Sequence, residues 1–166
     1  MNNIGLALQA ADSAAEDNIV NGAATGIYLL GTRGAKIRHN TLINNRLNGI
    51  ALSDVTDSTI SDNIVSFNGW NGIDVGSSAN NTIKDNILKG NGLDGIHSQL
   101  GSAGNTYSKN TLQGNQANDA EDSDASSGTA GTANTWKSNK CDVSFPGGLC
   151  ASAATRALPR AGVPSQ

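Results

Sequence analysis

Apolar residues along this chain come in short pulses, three to a set, and the set returns with a period of about 23 residues. Thr59 to Val75 reads T-I-S-D-N-I-V-S-F-N-G-W-N-G-I-D-V. Thr82 to Ser98 repeats it as T-I-K-D-N-I-L-K-G-N-G-L-D-G-I-H-S, and Lys36 to Leu52 as K-I-R-H-N-T-L-I-N-N-R-L-N-G-I-A-L. The pulses are too short and too β-branched for helices. Within Ile73-Asp74-Val75 apolar and polar residues alternate, as in a strand with one buried face. Three strands per turn with like residues in register predict an all-β parallel β-helix of about five coils closed by a C-terminal cap, its coils stacked at roughly 4.8 Å.

Each coil carries fixed landmarks. The strand G-I-x-[LV] starts at Gly26, Gly49, Gly72 and Gly95, with a degenerate copy at Asp119-Ala120-Glu121-Asp122. Asn3-Ile4-Gly5-Leu6 aligns with Gly26 to Leu29, one period on. A second landmark is an asparagine two places before an aliphatic residue, at Asn18, Asn40, Asn63, Asn86 and Asn110, and last at Asn139 before Cys141. Three residues ahead of it stand Ile37, Ile60, Ile83, Tyr107 and Trp136; a further asparagine follows at Asn45, Asn68, Asn91 and Asn115. Stacking turns the asparagines into ladders in which each amide donates to the next coil and accepts from the one before, so that buried polar groups are paired. Asn40, Asn63, Asn86 and Asn110 are the rungs.

Burying Ile60, Val65, Ile73 and Val75 does not offset the entropy lost in ordering a whole coil, so coils depend on their neighbours. The ends need covers. The C-terminal one is readable: after a Ser/Gly/Ala/Asp loop, Asn134-Thr135-Trp136 restores a strand, and Trp136, Phe145 and Leu149 are placed to plug the core. A Cys141–Cys150 disulfide across this loop would contribute roughly 2–3 kcal/mol. The N-terminal edge has no such cover, which predicts further coils or a capping helix upstream, or pairing of isolated chains through that edge. The expected division is 1–119 for repeats, 120–150 for the cap, and 151–166 for a disordered Ala/Arg/Pro tail.

Composition narrows the function classes. Among 166 residues aromatics are 4%, and the net charge of -3 leaves no broad basic face for nucleic acid. No apolar run is long enough to span a membrane. The first residues carry no signal-peptide pattern, yet two cysteines fit an oxidising compartment; both hold if the chain is the C-terminal part of an exported protein. A cytosolic protein with two free thiols is the other reading.

The pattern N-x-[ILV]-x-x-N-x-x-x-G-I-x-[LV] at this period resembles the right-handed parallel β-helix repeat family, the pectate-lyase-like superfamily with its NosD-type and carbohydrate-binding members. The resemblance covers Asn3 to about Asn139, and Asn134 to Cys150 is similar to C-termini of exported bacterial β-helix proteins. It implies a right-handed, single-stranded solenoid and an extracellular, cell-surface or periplasmic location. It is weak for activity, because the fold hosts lyases, hydrolases, epimerases and non-catalytic proteins.

Candidate chemistry sits on the outward residue of G-I-x-[LV], the column Gly5, Tyr28, Ala51, Asp74, His97, Glu121. Asp74 beside His97 would form an acid/base pair, with Asp94 just ahead of the same strand. Tyr28, Trp70 and Asp94 are the expected substrate contacts; Trp70 serves equally well as cover for a turn. The resemblance to pectate lyases implies clustered aspartates for calcium and an arginine base, and polygalacturonases carry G-H-G and R-I-K; none is matched here. Glu121, Asp122 and Asp124 are the one weak calcium candidate. His39 reads as surface, and no spacing points to zinc or any other metal site. The expected function is an exported, non-catalytic module that presents a flat face to polysaccharide or a surface partner. The alternatives are a lyase or uronan epimerase acting on acidic glycans and a structural spacer.

Overall fold

The computed structural model describes residues 3–150; the expected tail at 151–166 lies outside the described residues. The chain is a parallel solenoid of three sheets, each receiving one strand per coil, with strands numbered along the chain. The first sheet stacks β1 (Leu6–Leu8), β4 (Ile27–Leu30), β7 (Ile50–Ser53), β10 (Ile73–Gly76), β13 (Ile96–Ser98), β16 (Ala120–Asp122) and β18 (Ser144–Phe145). The second stacks β2 (Ala14–Glu16), β5 (Lys36–Arg38), β8 (Thr59–Ser61), β11 (Thr82–Lys84), β14 (Thr106–Ser108) and β17 (Thr135–Lys137). The third stacks β3 (Ile19–Asn21), β6 (Thr41–Ile43), β9 (Ile64–Ser66), β12 (Ile87–Lys89) and β15 (Thr111–Gln113). Every pair is parallel, with Ile73 opposite Ile50 and Ile96, and Ile60 opposite Ile37 and Ile83.

Inward residues form one core, with Ile60, Val65, Ile73 and Val75 completely buried. The asparagine ladders run as expected. Asn63 Nδ2 donates to Asn86 Oδ1 at 2.9 Å and to the Ile37 carbonyl at 3.0 Å, while Asn63 Oδ1 accepts from the Asn40 backbone N–H at 2.9 Å and from Asn40 Nδ2 at 3.0 Å. Asn45, Asn68, Asn91 and Asn115 make a second ladder. A left-handed residue precedes each rung of the first ladder (Asp17, His39, Asp62, Asp85, Lys109, Ser138), and the bend it makes turns the amide inward. Among the described residues only Thr32 Oγ1 is a buried side-chain polar atom without a partner.

A third ladder escaped the sequence reading. Asn81 Nδ2 donates to Asn105 Oδ1 and Asn105 Nδ2 to Asn134 Oδ1, at 3.1 and 3.2 Å, with Ser58 filling the rung before. The signal was the residue just ahead of each second-sheet threonine. Two ladders stop on a carboxylate. Asn115 Nδ2 donates to Asp119 Oδ1 at 2.9 Å, and Asn134 Nδ2 donates to Asp122 Oδ2 at 3.0 Å. An ionised aspartate accepts and donates nothing, so it ends a line of donating amides with no orphan N–H.

Two expectations need correction. The first coil is shorter than those that follow: Leu6, not Ile4, lies opposite Ile27, so the outward residue of β1 is Ala7 and Gly5 leaves the column. The reason is a close approach. A Cβ on Gly26, Gly49, Gly72 or Gly95 would stand 2.5–2.8 Å from the next coil's carbonyl oxygen, and a Cβ on Gly5 would stand 2.5 Å from the Gly26 carbonyl oxygen. Glycine aligns with glycine, and the isoleucine match was incidental. Second, Phe145 does not plug the core. It is 63% exposed, whereas Trp136 and Leu149 are buried and Trp136 stacks on Tyr107 at 4.0 Å. Asp122, on the inward position of its strand, accepts from Trp136 Nε1 at 2.7 Å. Cys141 and Cys150 form a disulfide beside this plug.

Candidate functional site

The outward residues of the first sheet line up as Ala7, Tyr28, Ala51, Asp74, His97, Glu121 and Phe145, each opposite the next. Alternation along each strand sends these side chains out while their neighbours fill the core. Ala51 contributes only a methyl group between Tyr28 and Asp74, which leaves a trough. The resulting groove has a volume of about 370 Å³; Thr25, Leu47 and Asn48 wall one side, and Ser53, Ser77 and Gln99 the other. That volume lies within the range of small-ligand sites. No lysine or arginine is among its lining residues.

Asp74 and His97 are adjacent, with Asp74 Oδ1 3.3 Å from His97 Nδ1. Asp74 also accepts from Gln99 Nε2 at 2.7 Å and from Asn71 Nδ2 at 3.1 Å. The other imidazole nitrogen, Nε2, faces Glu121 Oε1 at 3.8 Å, and Asn118 Nδ2 holds the second Glu121 oxygen at 3.0 Å. His97 therefore sits between carboxylates from the coils above and below. The hydrogen bond that His97 donates to Asp74 raises its pKa above the ordinary imidazole value; partial burial opposes this, and the charges of Asp74, Glu121 and Asp94 add to it.

Asp94 lies beneath this cluster, 5% exposed, as the last rung of a fourth ladder. Asn48 Oδ1 accepts the Asn71 N–H, Asn71 Oδ1 the Asp94 N–H, and Asp94 Oδ1 the Asn118 N–H, at 3.0, 3.0 and 2.8 Å. Burial pushes the Asp94 pKa up, against the backbone bond from Asn118. The groove thus brings together Tyr28, Asp74 and their neighbours, with His97 and Asp94 at its end. Trp70 stands apart. It is half exposed on a flanking ridge, where its backbone links Leu47 and Leu93, and it is not a lining residue of the groove. Sequence reasoning missed Gln99, whose reach across a coil to Asp74 has no repeating signal, and Phe145, which continues the column.

The acidic residues proposed for calcium do not converge. Glu121 points outward to Asn118, Asp122 points inward to Trp136 and Asn134, and Asp124 Oδ2 accepts the Ser102 N–H at 2.7 Å. Among the described residues no group of three or more His, Cys, Asp or Glu side chains is placed to hold a metal ion.

A three-walled solenoid with amide ladders inside and a groove on one outer wall defines a right-handed parallel β-helix protein. The chain belongs to the family described as periplasmic copper-binding protein (NosD), whose model matches residues 1–148. A search of curated proteins finds no match. Among solved structures it is similar to the periplasmic alginate epimerase AlgG, at 20% identity and a TM-score of 0.64, over 69% of this chain and 32% of that one. It is also similar to the A-module of the Azotobacter vinelandii mannuronan C-5 epimerase AlgE4, at 19% identity and a TM-score of 0.57, over 67% of this chain and 38% of that one. The chain spans about a third of the length of these proteins, and likeness at this identity shows the fold.

Copper does not suit the donors present. Protein copper sites draw on imidazole, thiolate and thioether ligands. Both cysteines are in the disulfide, and the sequence has one methionine, Met1, outside the described residues. The two histidines belong to different walls: His39 follows β5 near Asp17, while His97 lies on β13 between carboxylates.

Proposed function

We propose that the chain is an exported β-helix module that binds polysaccharide in the groove of its first sheet and is not itself catalytic. The observation that carries this reading is the trough between Tyr28 and Asp74, with an aromatic face at one end and hydrogen-bonding groups at the other. Sugars are held in that way, by stacking on a ring and by hydroxyl hydrogen bonds to polar side chains. The ridge of Leu47, Trp70 and Leu93 adds a second apolar surface beside it. Family membership and the disulfide support a periplasmic or extracellular location. Polysaccharide as ligand class is supported by the similar structures, both alginate epimerases.

Calorimetric titration with neutral and uronate oligosaccharides tests the reading. We expect binding that Tyr28→Ala weakens by about three- to tenfold, the worth of one aromatic contact. Absence of heat with every glycan removes it.

A second reading, an epimerase or lyase with Asp74 and His97 as the acid/base pair, draws on their 3.3 Å contact. Against it, both nitrogens of His97 face carboxylates, and the groove lining has no cation to stabilise an enolate-like intermediate. Incubation with polymannuronate, followed by ultraviolet absorbance for unsaturated uronates and NMR for inverted sugars, separates the two. Turnover abolished by His97→Ala would replace the binding reading with this one.

A further inference from the structure

We infer that the ligand of the first sheet is an uncharged linear polysaccharide lying along the solenoid axis from Tyr28 to Phe145, and that Phe145 is its far-end stacking platform. This rests on the glycan-binding reading above and extends it to a length, a direction and a charge class.

The register carries the length. Tyr28, Ala51, Asp74, His97, Glu121 and Phe145 are consecutive partners across parallel strands. Five steps at the strand spacing put Phe145 about 24 Å from Tyr28. One coil advances the surface by about the length of a pyranose in an extended 1,4-linked chain, so each coil can meet one sugar.

The exposure of Phe145 is the second observation. The cap has a buried end, and Trp136 and Leu149 fill it. Phe145 instead sits on the outward column, opposite Glu121 and 63% exposed. A large apolar ring on the same line as the groove has no packing role there. Tyr28 and Phe145 then bracket a polar stretch of Asp74, His97, Gln99 and Glu121, in which sugar hydroxyls find acceptors and donors.

Charge sets the class. Asp74 and Glu121 flank one imidazole, and the groove lining holds no lysine or arginine. Carboxylates on every sugar of a uronan would be drawn against these groups, and the one cation of the column, His97, is already shared between them. An uncharged chain meets no such penalty.

The test is calorimetry with manno- and cello-oligosaccharides from dimer to heptamer, alongside oligomannuronates of the same lengths. For one of the neutral series, affinity should rise with each added sugar and level off near the hexamer, with oligomannuronates at least tenfold weaker. Phe145→Leu, which keeps an apolar side chain on β18 but removes the ring, should weaken the hexamer by roughly three- to tenfold and leave the trimer unchanged. Tyr28→Ala should weaken both. A plateau at the trimer, or an unchanged hexamer in Phe145→Leu, overturns the track while leaving glycan binding in place. Oligomannuronates binding as tightly as neutral chains overturn the charge class. No binding of any oligosaccharide to the unaltered protein removes the underlying reading and the track together.

Discussion

Two columns of the same solenoid follow opposite rules. On the inner face of the second sheet, Ile37, Ile60 and Ile83 repeat one side chain, and Tyr107 and Trp136 then enlarge it toward the cap. On the outer face of the first, Tyr28, Ala51, Asp74, His97, Glu121 and Phe145 change chemistry at every step. Strand spacing and parallel register are common to both, so geometry does not account for the difference. A position that must fit the same neighbours in each coil accepts one kind of side chain. A position facing solvent or a ligand is free of that demand. The scaffold is therefore written in what repeats, and function has to be sought in what does not.

The contrast breaks most sharply inside. Asn63→Ala should cost about 3–5 kcal/mol in urea unfolding, because it leaves the buried N–H and amide of Asn40 and the carbonyl of Ile37 short of partners. A loss below about 1 kcal/mol, the net worth of a single ordinary hydrogen bond, would mean that the ladder is decoration. Next comes the cap. Replacing Cys141 and Cys150 together with serine should cost about 2–3 kcal/mol, the loop-closure value for so short a loop; a thermal scan with and without reductant checks it.

The smallest effect is expected on the outer column. Comparing His97→Gln with the unaltered protein across pH should change stability by no more than about 1 kcal/mol, since the pairs are partly solvated. The sign is fixed by the raised pKa of His97. The imidazolium is held more tightly in the folded protein than in the unfolded chain. Its contribution is therefore full below the unfolded-state value and fades as pH rises through the folded-state one. An advantage that grows with pH would show that His97 is not held between Asp74 and Glu121 as a cation.

The fold was legible because a fixed period and an asparagine at a set place in each coil leave few alternatives. The first coil was not, because Ile4 imitates Ile27 while the true anchor is Gly5, which has no Cβ to clash with the Gly26 carbonyl. The adjacency of Asp74 and His97 followed from the period. The placing of Glu121 beside His97 one coil on followed from it too; the amides that fix the two carboxylates did not, because Asn118 and Gln99 come from turns that carry no pattern. Phe145 was misplaced for a related reason. An aromatic residue near the end of a core reads as a plug, and only strand pairing with Glu121 reveals that it points out. Asp122 takes the inward position of the degenerate strand, and the reason a charge is tolerated there lies in Trp136 and Asn134, which need an acceptor.

The two aspartates that close the ladders also act as punctuation for growth. A further coil inserted upstream of Asp119, in register with Asn86 and Asn91, receives amides from one side and passes them on at the other, so the solenoid lengthens without a seam. Placed after Asp119 and Asp122, the same coil meets residues that take hydrogen bonds and hand none forward. The stopping point of the ladders is thus written in two acceptors, and it can be edited by moving the stop rather than by rebuilding the core.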